Sequence, residues 1–471
     1  MIIVLLTTPV NLPLYVDSFV QAQAPSYLNP NPNPLQFPTK PTEVQIQGTQ
    51  AVTLEQVLEL ARRNNKDLQV VLLQLERSRA SLREAQAALL PNLSITGNIA
   101  RQRSAGSQLS VEQQIQAQPN LANQIPGAEA STAFTGDAQL RYSLYTNGRR
   151  QATIRQAEEQ VRVSELTVET QSETVRLAVT QQYYDLQLSD EQVRIQQSAV
   201  VNAQASLRDA IALERAGVGT RFDVLRFQVN LANSQQNLTN SISQQRIAQR
   251  QLAKTLSVSD TLNLSAADPV RLAGLWNQSL EDSIIQALQN RPELQVQLAQ
   301  RNIGEQQRRQ ALSQLGPQVS LVASYNLLDQ FGDSISVTDG YSVGVQASIN
   351  LYDGGAAKAQ AGQAKANIAI AQTAFANQRN QVRFEVEQAY SQLQSNLENV
   401  QTANTALEQA REALRLARLR FQAGVGTQTD VISAENDLTL SEGNRVQAIL
   451  NYNRALAAIQ RAVTIRGAQR F

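Results

Sequence analysis

The 471-residue sequence contains no cysteine and no histidine. Thiol nucleophiles, disulfides, ordinary zinc sites and His-based triads are therefore excluded. A lipid anchor carried on a cysteine is not expected either. An enzyme working with carboxylates alone stays open. Aromatic residues make up only 5 %, and 41 basic residues against 40 acidic ones leave a net charge of +1. That balance offers nothing to attract nucleic acid. Beyond the first residues the chain has no run of about 18 apolar residues, so no transmembrane helix is expected.

The apolar stretch from Met1 to about Val20 ends in Ala22 and Ala24, an A-x-A arrangement. It resembles a secretory signal peptide covering residues 1–24. Residues 25–50 come next as a linker carrying Pro25, Pro30, Pro32, Pro34, Pro38 and Pro41, expected to be extended and unpacked.

What the sequence does have is a duplication. "LYTNGRRQA" at Leu144 returns as "LYDGGAAKAQ" at Leu351, 207 residues later. The same 207-residue offset relates "VRLAVTQQYY" at Val175 to "VRFEVEQAY" at Val382, and "AGVGTRFDVL" at Ala216 to "AGVGTQTDVI" at Ala423. Upstream, "TLEQVLELARRNNKDLQV" at Thr53 matches "SLEDSIIQALQNRPELQV" at Ser279, and Pro91 matches Pro317, both at an offset of 226. The first copy thus holds a 19-residue insert, within the polar stretch of about Gln102 to Thr132. The copies are placed at residues 51–265 and 266–465, with a tail at 466–471.

Each copy reads as helix, strand, loop, strand, long helix, tight turn, helix. Residues 53–89 are apolar at helical spacing, and Pro91 stops that helix. Period-two alternation then predicts strands at about 92–103, 133–145, 318–328 and 340–352, each with one apolar face. Long helices are expected at about 149–216 and 356–423, roughly 100 Å each at about 1.5 Å per residue. Ile154, Val161, Val168 and Val175 step by seven; the register jumps by four to Val179 and resumes at Leu186, Val193, Val200 and Leu207. Ile368, Phe375, Val382, then Val386, Leu393, Val400, Leu407 and Leu414 repeat this, giving a coiled-coil seam with a stutter.

Four strands with one apolar face leave two open edges, and in lipid each unpaired backbone group there costs several kcal/mol. About eight strands is the smallest closed membrane barrel, so several chains must combine. Asn147–Gly148 and Gly354–Gly355 supply permissive backbone geometry where strand turns into helix. Gly217 and Gly424 read as helix C-caps, and Thr220 and Thr427 as N-caps, with Asp223 and Asp430 completing capping boxes.

The duplicated helix–strand–strand–helix pattern, the LY phrase with its glycine, and the paired VGT-x-x-D-V turns resemble the TolC family of outer-membrane efflux and secretion channels. The resemblance covers about residues 51–465. It implies a mostly α fold with membrane β: a homotrimer sharing a twelve-stranded β-barrel in outer-membrane lipid, four strands per chain, continued by a periplasmic α-helical coiled-coil barrel. It further implies a passive export channel, for efflux of small molecules or type I secretion. A periplasmic adaptor and an inner-membrane ABC, RND or MFS pump would supply it. No cofactor or metal is implied. The tip Gly217, Val218, Gly219, Thr220 and its repeat Gly424, Val425, Gly426, Thr427 would be where the adaptor docks, with both valines exposed. Related channels narrow there through acidic residues; here "EALRLARLRFQAG" holds Arg415, Arg418 and Arg420, with Arg411 just ahead and only Glu412 acidic. Arg411, Arg415 and Arg418 are candidates for an aperture lining or for a solvated outer face. Tyr183, Tyr184 and Tyr390 are expected in the helical core.

Two other classes stay in view. One is a periplasmic coiled-coil adaptor or scaffold, which would lack the four alternating strands. The other is a carboxylate-only enzyme using Asp329, Asp333 and Asp339, expected in the loop between strands three and four.

Overall fold

A computed structural model of the chain describes residue 35 and residues 37–46, 48–120, 129–259, 261–332 and 336–464. The signal-peptide segment, the linker up to residue 34 and the tail lie outside the described residues. The first copy contains β1 (Gly48–Val52), α1 (Leu54–Asn64), α2 (Lys66–Ala87), β2 (Asn92–Gln102), α3 (Ala105–Ala117), β3 (Ser131–Tyr145), α4 (Arg149–Arg215), α5 (Arg221–Leu256) and β4 (Leu262–Ala266). The second contains α6 (Leu280–Asn290), α7 (Pro292–Ser313), β5 (Gln318–Phe331), β6 (Thr338–Ser348), α8 (Ala356–Gln422) and α9 (Gln428–Val463).

Three differences from the sequence reading have plain physical causes. The helix expected over residues 53–89 breaks at Asn65, whose backbone leaves the helical region at ψ 124° while its side chain accepts from Leu68 N and caps α2. The second copy breaks at Arg291, because the following Pro292 disfavours helical backbone before it. The residues before Val52 are not all unpacked: β1 pairs in parallel with β4, from Gly48 opposite Leu262 to Val52 opposite Ala266. The boundary between the copies at 265/266 accordingly falls inside a strand. The polar insert is not only loop, since Ser104 caps the 13-residue helix α3, whose residues are all at least partly exposed.

The larger sheet has the order β2-β3-β5-β6, antiparallel throughout. Ile95 faces Ala138, Leu140 faces Ala323 and Ala323 faces Val343, so one face is apolar across all four strands until Asp329 and Asp339 near its end away from the helices. Below it, α4 and α8 are each 67 residues long, about 100 Å. Shorter helices share the length of each. In the first copy α2 packs beside the upper part of α4 and α5 beside the lower, while α8 packs against α7 and α9.

The stutter sits at the middle of this column. Val175, Val179, Tyr183 and Leu186 of α4 form a core with Leu60 of α1, Leu252 of α5 and Leu264 of β4. Val382 and Val386 of α8 form the matching core with Ala287 of α6 and Ile459 of α9. Relaxing the supercoil there lets each long helix meet a second layer. Tyr183 Oη donates to Asp268 at 2.7 Å, and Leu54 N donates to the same carboxylate at 2.8 Å, pinning that layer to α4. Tyr184 is buried as well, and Tyr390 is half-buried against the second core.

Candidate functional site

Each long helix leaves the sheet through a left-handed turn. Asn147 has φ 51° and Gly148 has φ 82°; Gly354 and Gly355 have φ 70° and 91°. The first turn is also locked sideways. Asn147 Nδ2 donates to Ser313 O, and the Asn147 side chain fills the space above Gly316, where a Cβ would lie 1.8 Å from Nδ2. In the second turn, Asp353 accepts from Gly355 N at 2.9 Å and Ala357 N at 2.6 Å. These backbone donors hold its carboxyl below the usual range.

At the far end the two helical hairpins close identically. Gly217 N donates to Glu214 O and Val218 N to Leu213 O; Gly424 N donates to Phe421 O and Val425 N to Arg420 O. This is the Schellman arrangement, with Gly217 at φ 78° and Gly424 at φ 74° as its left-handed residues. The second glycine of each tip serves another purpose. A Cβ on Gly219 would stand 3.0 Å from Glu214 N, and one on Gly426 would stand 2.9 Å from Phe421 N. Thr220 then caps α5 reciprocally with Asp223, and Thr427 caps α9 with Asp430. The backbone N–H of Thr427, helped by its hydroxyl, holds the Asp430 carboxyl low. Val218 is 75 % and Val425 70 % exposed. The turn geometry does not use either side chain.

Above the tips, the three arginines separate. Arg415 forms an exposed pair with Glu412 at 2.6 Å, and Arg411 reaches Glu442 at 3.8 Å. Arg418 is not a free cation, since it donates to Glu435 at 3.1 Å. Glu435, only 5 % exposed, is the residue that reading the sequence missed. It accepts from Ser206 of α4, Asn230 of α5 and Arg418 of α8, so one carboxylate joins all four helices. The available signal was a charge beside Ala434, four residues beyond Val431, on the apolar side of α9.

The carboxylate-only site does not assemble. Asp329 lies in β5 and Asp339 in β6, where Asp339 accepts from Tyr325 Oη at 3.1 Å. Asp333 is outside the described residues. Among the described residues, no group of three or more acidic side chains could hold a metal ion, and no helix is long and apolar enough to cross a membrane.

A four-stranded apolar-faced sheet standing on an approximately 100 Å column of duplicated helices defines a class: a chain that supplies one sector of a membrane barrel with its helical extension. The family model for outer membrane efflux proteins matches residues 57–257 and 284–464, and the chain belongs to that family. The outer membrane efflux protein BepC of Brucella suis is 23 % identical over 325 residues, covering 69 % of this chain and 70 % of that one. The pyoverdine export outer membrane protein OpmQ of Pseudomonas aeruginosa is 23 % identical over 416 residues, covering 88 % and 85 %. Among solved structures, CusC superposes with a TM-score of 0.73 at 15 % identity, covering 94 % of this chain and 98 % of that one. The CmeC channel of Campylobacter jejuni superposes with a TM-score of 0.71 at 16 % identity, covering 93 % and 94 %. The chain is an outer-membrane export channel, with its barrel in the outer membrane and its helices in the periplasm. The family is one of channels, not enzymes.

Proposed function

We propose that three copies of this chain close one twelve-stranded barrel, and that the helical tunnel below it passes small molecules delivered by a periplasmic adaptor and an inner-membrane pump. The observation that carries closure with other copies is the sheet order β2-β3-β5-β6, which leaves β2 and β6 each with one open edge among the described residues, and the number three follows the resemblance to TolC-type channels. Such edges need partners in lipid, and the partners available are those of other copies. A small-molecule cargo is favoured over a polypeptide by the relative named for pyoverdine export. The adaptor reading rests on Val218 and Val425, exposed apolar residues on turns whose own geometry leaves them unused.

The chain extracted from outer membranes should sediment in detergent as a trimer, retain its strand content and conduct ions in planar bilayers. Adaptor and pump should co-purify after crosslinking in cells. A stable detergent monomer with native strand content would overturn the trimer; crosslinked trimers without an adaptor would overturn the partner reading.

A further inference from the structure

The two copies within one chain already show how copies from different chains meet. Across the internal boundary, first-copy α4 packs on second-copy α7 and α9, and β3 pairs with β5. Left over on the chain's outer flanks are β2, α2 and α5 of the first copy, and β6 and α8 of the second. We propose that the second-copy flank of one protomer packs on the first-copy flank of the next in the register fixed by the internal offsets, 207 residues for the β3–α4 segment and 226 for the α7–β5 segment. This rests on the trimer reading and adds which residues touch.

Three independent places support the register. Inside the chain, Val163 of α4 is buried against Val296 and Ala299 of α7. Adding 207 carries Val163 to Ile370; subtracting 226 carries Val296 and Ala299 to Val70 and Leu73. These three residues are apolar and lie on opposite flanks, and they are exposed by 65 %, 51 % and 64 %. A buried internal cluster therefore has a counterpart whose members all lack cover within the protomer, as expected if another protomer supplies it. The fourth internal member, Ile303, maps to Arg77, whose aliphatic stem can border the contact while its charge reaches water.

The second place exchanges knob and hole. Inside the chain, Asn147 fills the space left by Gly316. The same offsets carry Asn147 to Gly354 and Gly316 to Leu90. The large residue has moved to the other side and the glycine has moved with it. Leu90 is 69 % exposed, and a Cβ on Gly354 would meet nothing within 4 Å, so the hole is open within the protomer.

The third place is the barrel. Ala138 of β3 faces Tyr325 of β5. The offsets carry this pair to Val345 of β6 and Ile99 of β2, both on the apolar face and both exposed, by 64 % and 66 %. The edge strands of neighbouring protomers should pair with Val345 opposite Ile99.

The cysteine-free sequence gives a clean test. In the full chain, Leu73→Cys combined with Ile370→Cys should shift on mild oxidation from a monomer band to a covalent trimer on a denaturing gel. Neither single variant should shift. Ile99→Cys combined with Val345→Cys tests the same register in the membrane and covers the case in which the helical pair disturbs assembly. Closure within one chain, or free thiols in both double variants while the protein sediments as a trimer, overturns the register and leaves the trimer standing. Sedimentation of the wild-type chain as a monomer instead removes the reading on which the register rests.

Discussion

Ser206 Oγ donates to Glu435 Oε1 at 2.5 Å, joining the two long hairpins of one chain a few turns above their tips. Arg418 and Asn230 complete the contact. The 207-residue offset carries Ser206 to Ala413 and Glu435 back to Gln228, so the duplication does not repeat this clamp on the chain's flanks. The hairpins of one protomer are thus bolted by a carboxylate, whereas the flanks carry exposed apolar residues such as Phe222, Leu225, Val229, Leu416 and Leu419. The tip of the tunnel is consequently expected to loosen between protomers before it loosens within one.

Glu435→Ala removes the acceptor shared by four helices. The cost should be about 1–3 kcal/mol, at the lower end because Arg418 is 33 % exposed and can turn to water. Single-channel conductance in planar bilayers should rise as the hairpins separate, and Glu435→Gln should lie between Ala and wild type. Conductance unchanged in the Ala variant, with stability lowered, would mean that the residue only packs the helices.

The tip glycines should fail for different reasons. Gly424→Ala forces a side chain into φ 74° and should cost about 1–2 kcal/mol. Gly426→Ala meets backbone at 2.9 Å, which no rotamer relieves, and should cost about 1–3 kcal/mol as overpacking. Thr427→Ala removes the cap of α9, worth about 1 kcal/mol. Because these losses are local, limited proteolysis at the tip should report them while global melting barely moves. Equal tip proteolysis in Gly426→Ala and wild type would refute the packing argument.

Acid should loosen the middle of the column through Glu293. Burial works to raise this carboxyl, but Arg461 and Arg291 together hold it below the usual range. Its folded pKa is therefore lower than its unfolded one, about 4.3. The stabilisation is fully present above that value and is lost as pH falls through the folded value. Thermal melting followed from pH 6 to pH 3 should fall more steeply for wild type than for Glu293→Gln. Parallel curves for the two proteins would contradict the assignment.

Much of this was legible because the chain states it twice. The LY phrases mark both exits from the sheet, the seven-residue steps mark both long helices, and Thr220 with Asp223 spells a capping box that the structure contains. The hidden features depend on distant partners. β1 and β4 are five residues each, and Gly48 and Leu262 are 214 positions apart, so neither strand announces the other locally. Asn65 breaks a helix whose apolar spacing continues through it, because its side chain caps α2. The burial of Glu435 depends on residues of three other helices. The family pattern also drew attention to acidic residues near Gly424, while the acid that matters is eleven residues beyond that glycine.

The insert of the first copy should be an external loop that tolerates change. Helix α3 is polar, with every residue at least partly exposed, and it sits at the end of the sheet opposite the helical column. An epitope replacing residues 108–113 should leave export intact and be labelled by antibody on intact cells. Labelling only after permeabilisation would reverse the orientation of the barrel.

The last prediction separates docking from folding at the tips. The turns use Gly217 and Gly424 for backbone geometry, Gly219 and Gly426 for clearance, and Thr220 and Thr427 for capping. Val218 and Val425 contribute only exposed apolar surface, 75 % and 70 % open to solvent. Val218→Asp combined with Val425→Asp should therefore leave trimer yield, barrel insertion and melting close to wild type. If an adaptor covers the valines, each aspartate would be buried without a partner in that interface, at a cost of about several kcal/mol. Export and crosslinking to the adaptor should then fall together. The measurement is trimer yield against adaptor capture in the same membranes. Loss of trimers ahead of capture would show that the valines pack the assembly, and no change in either would show that the adaptor binds elsewhere.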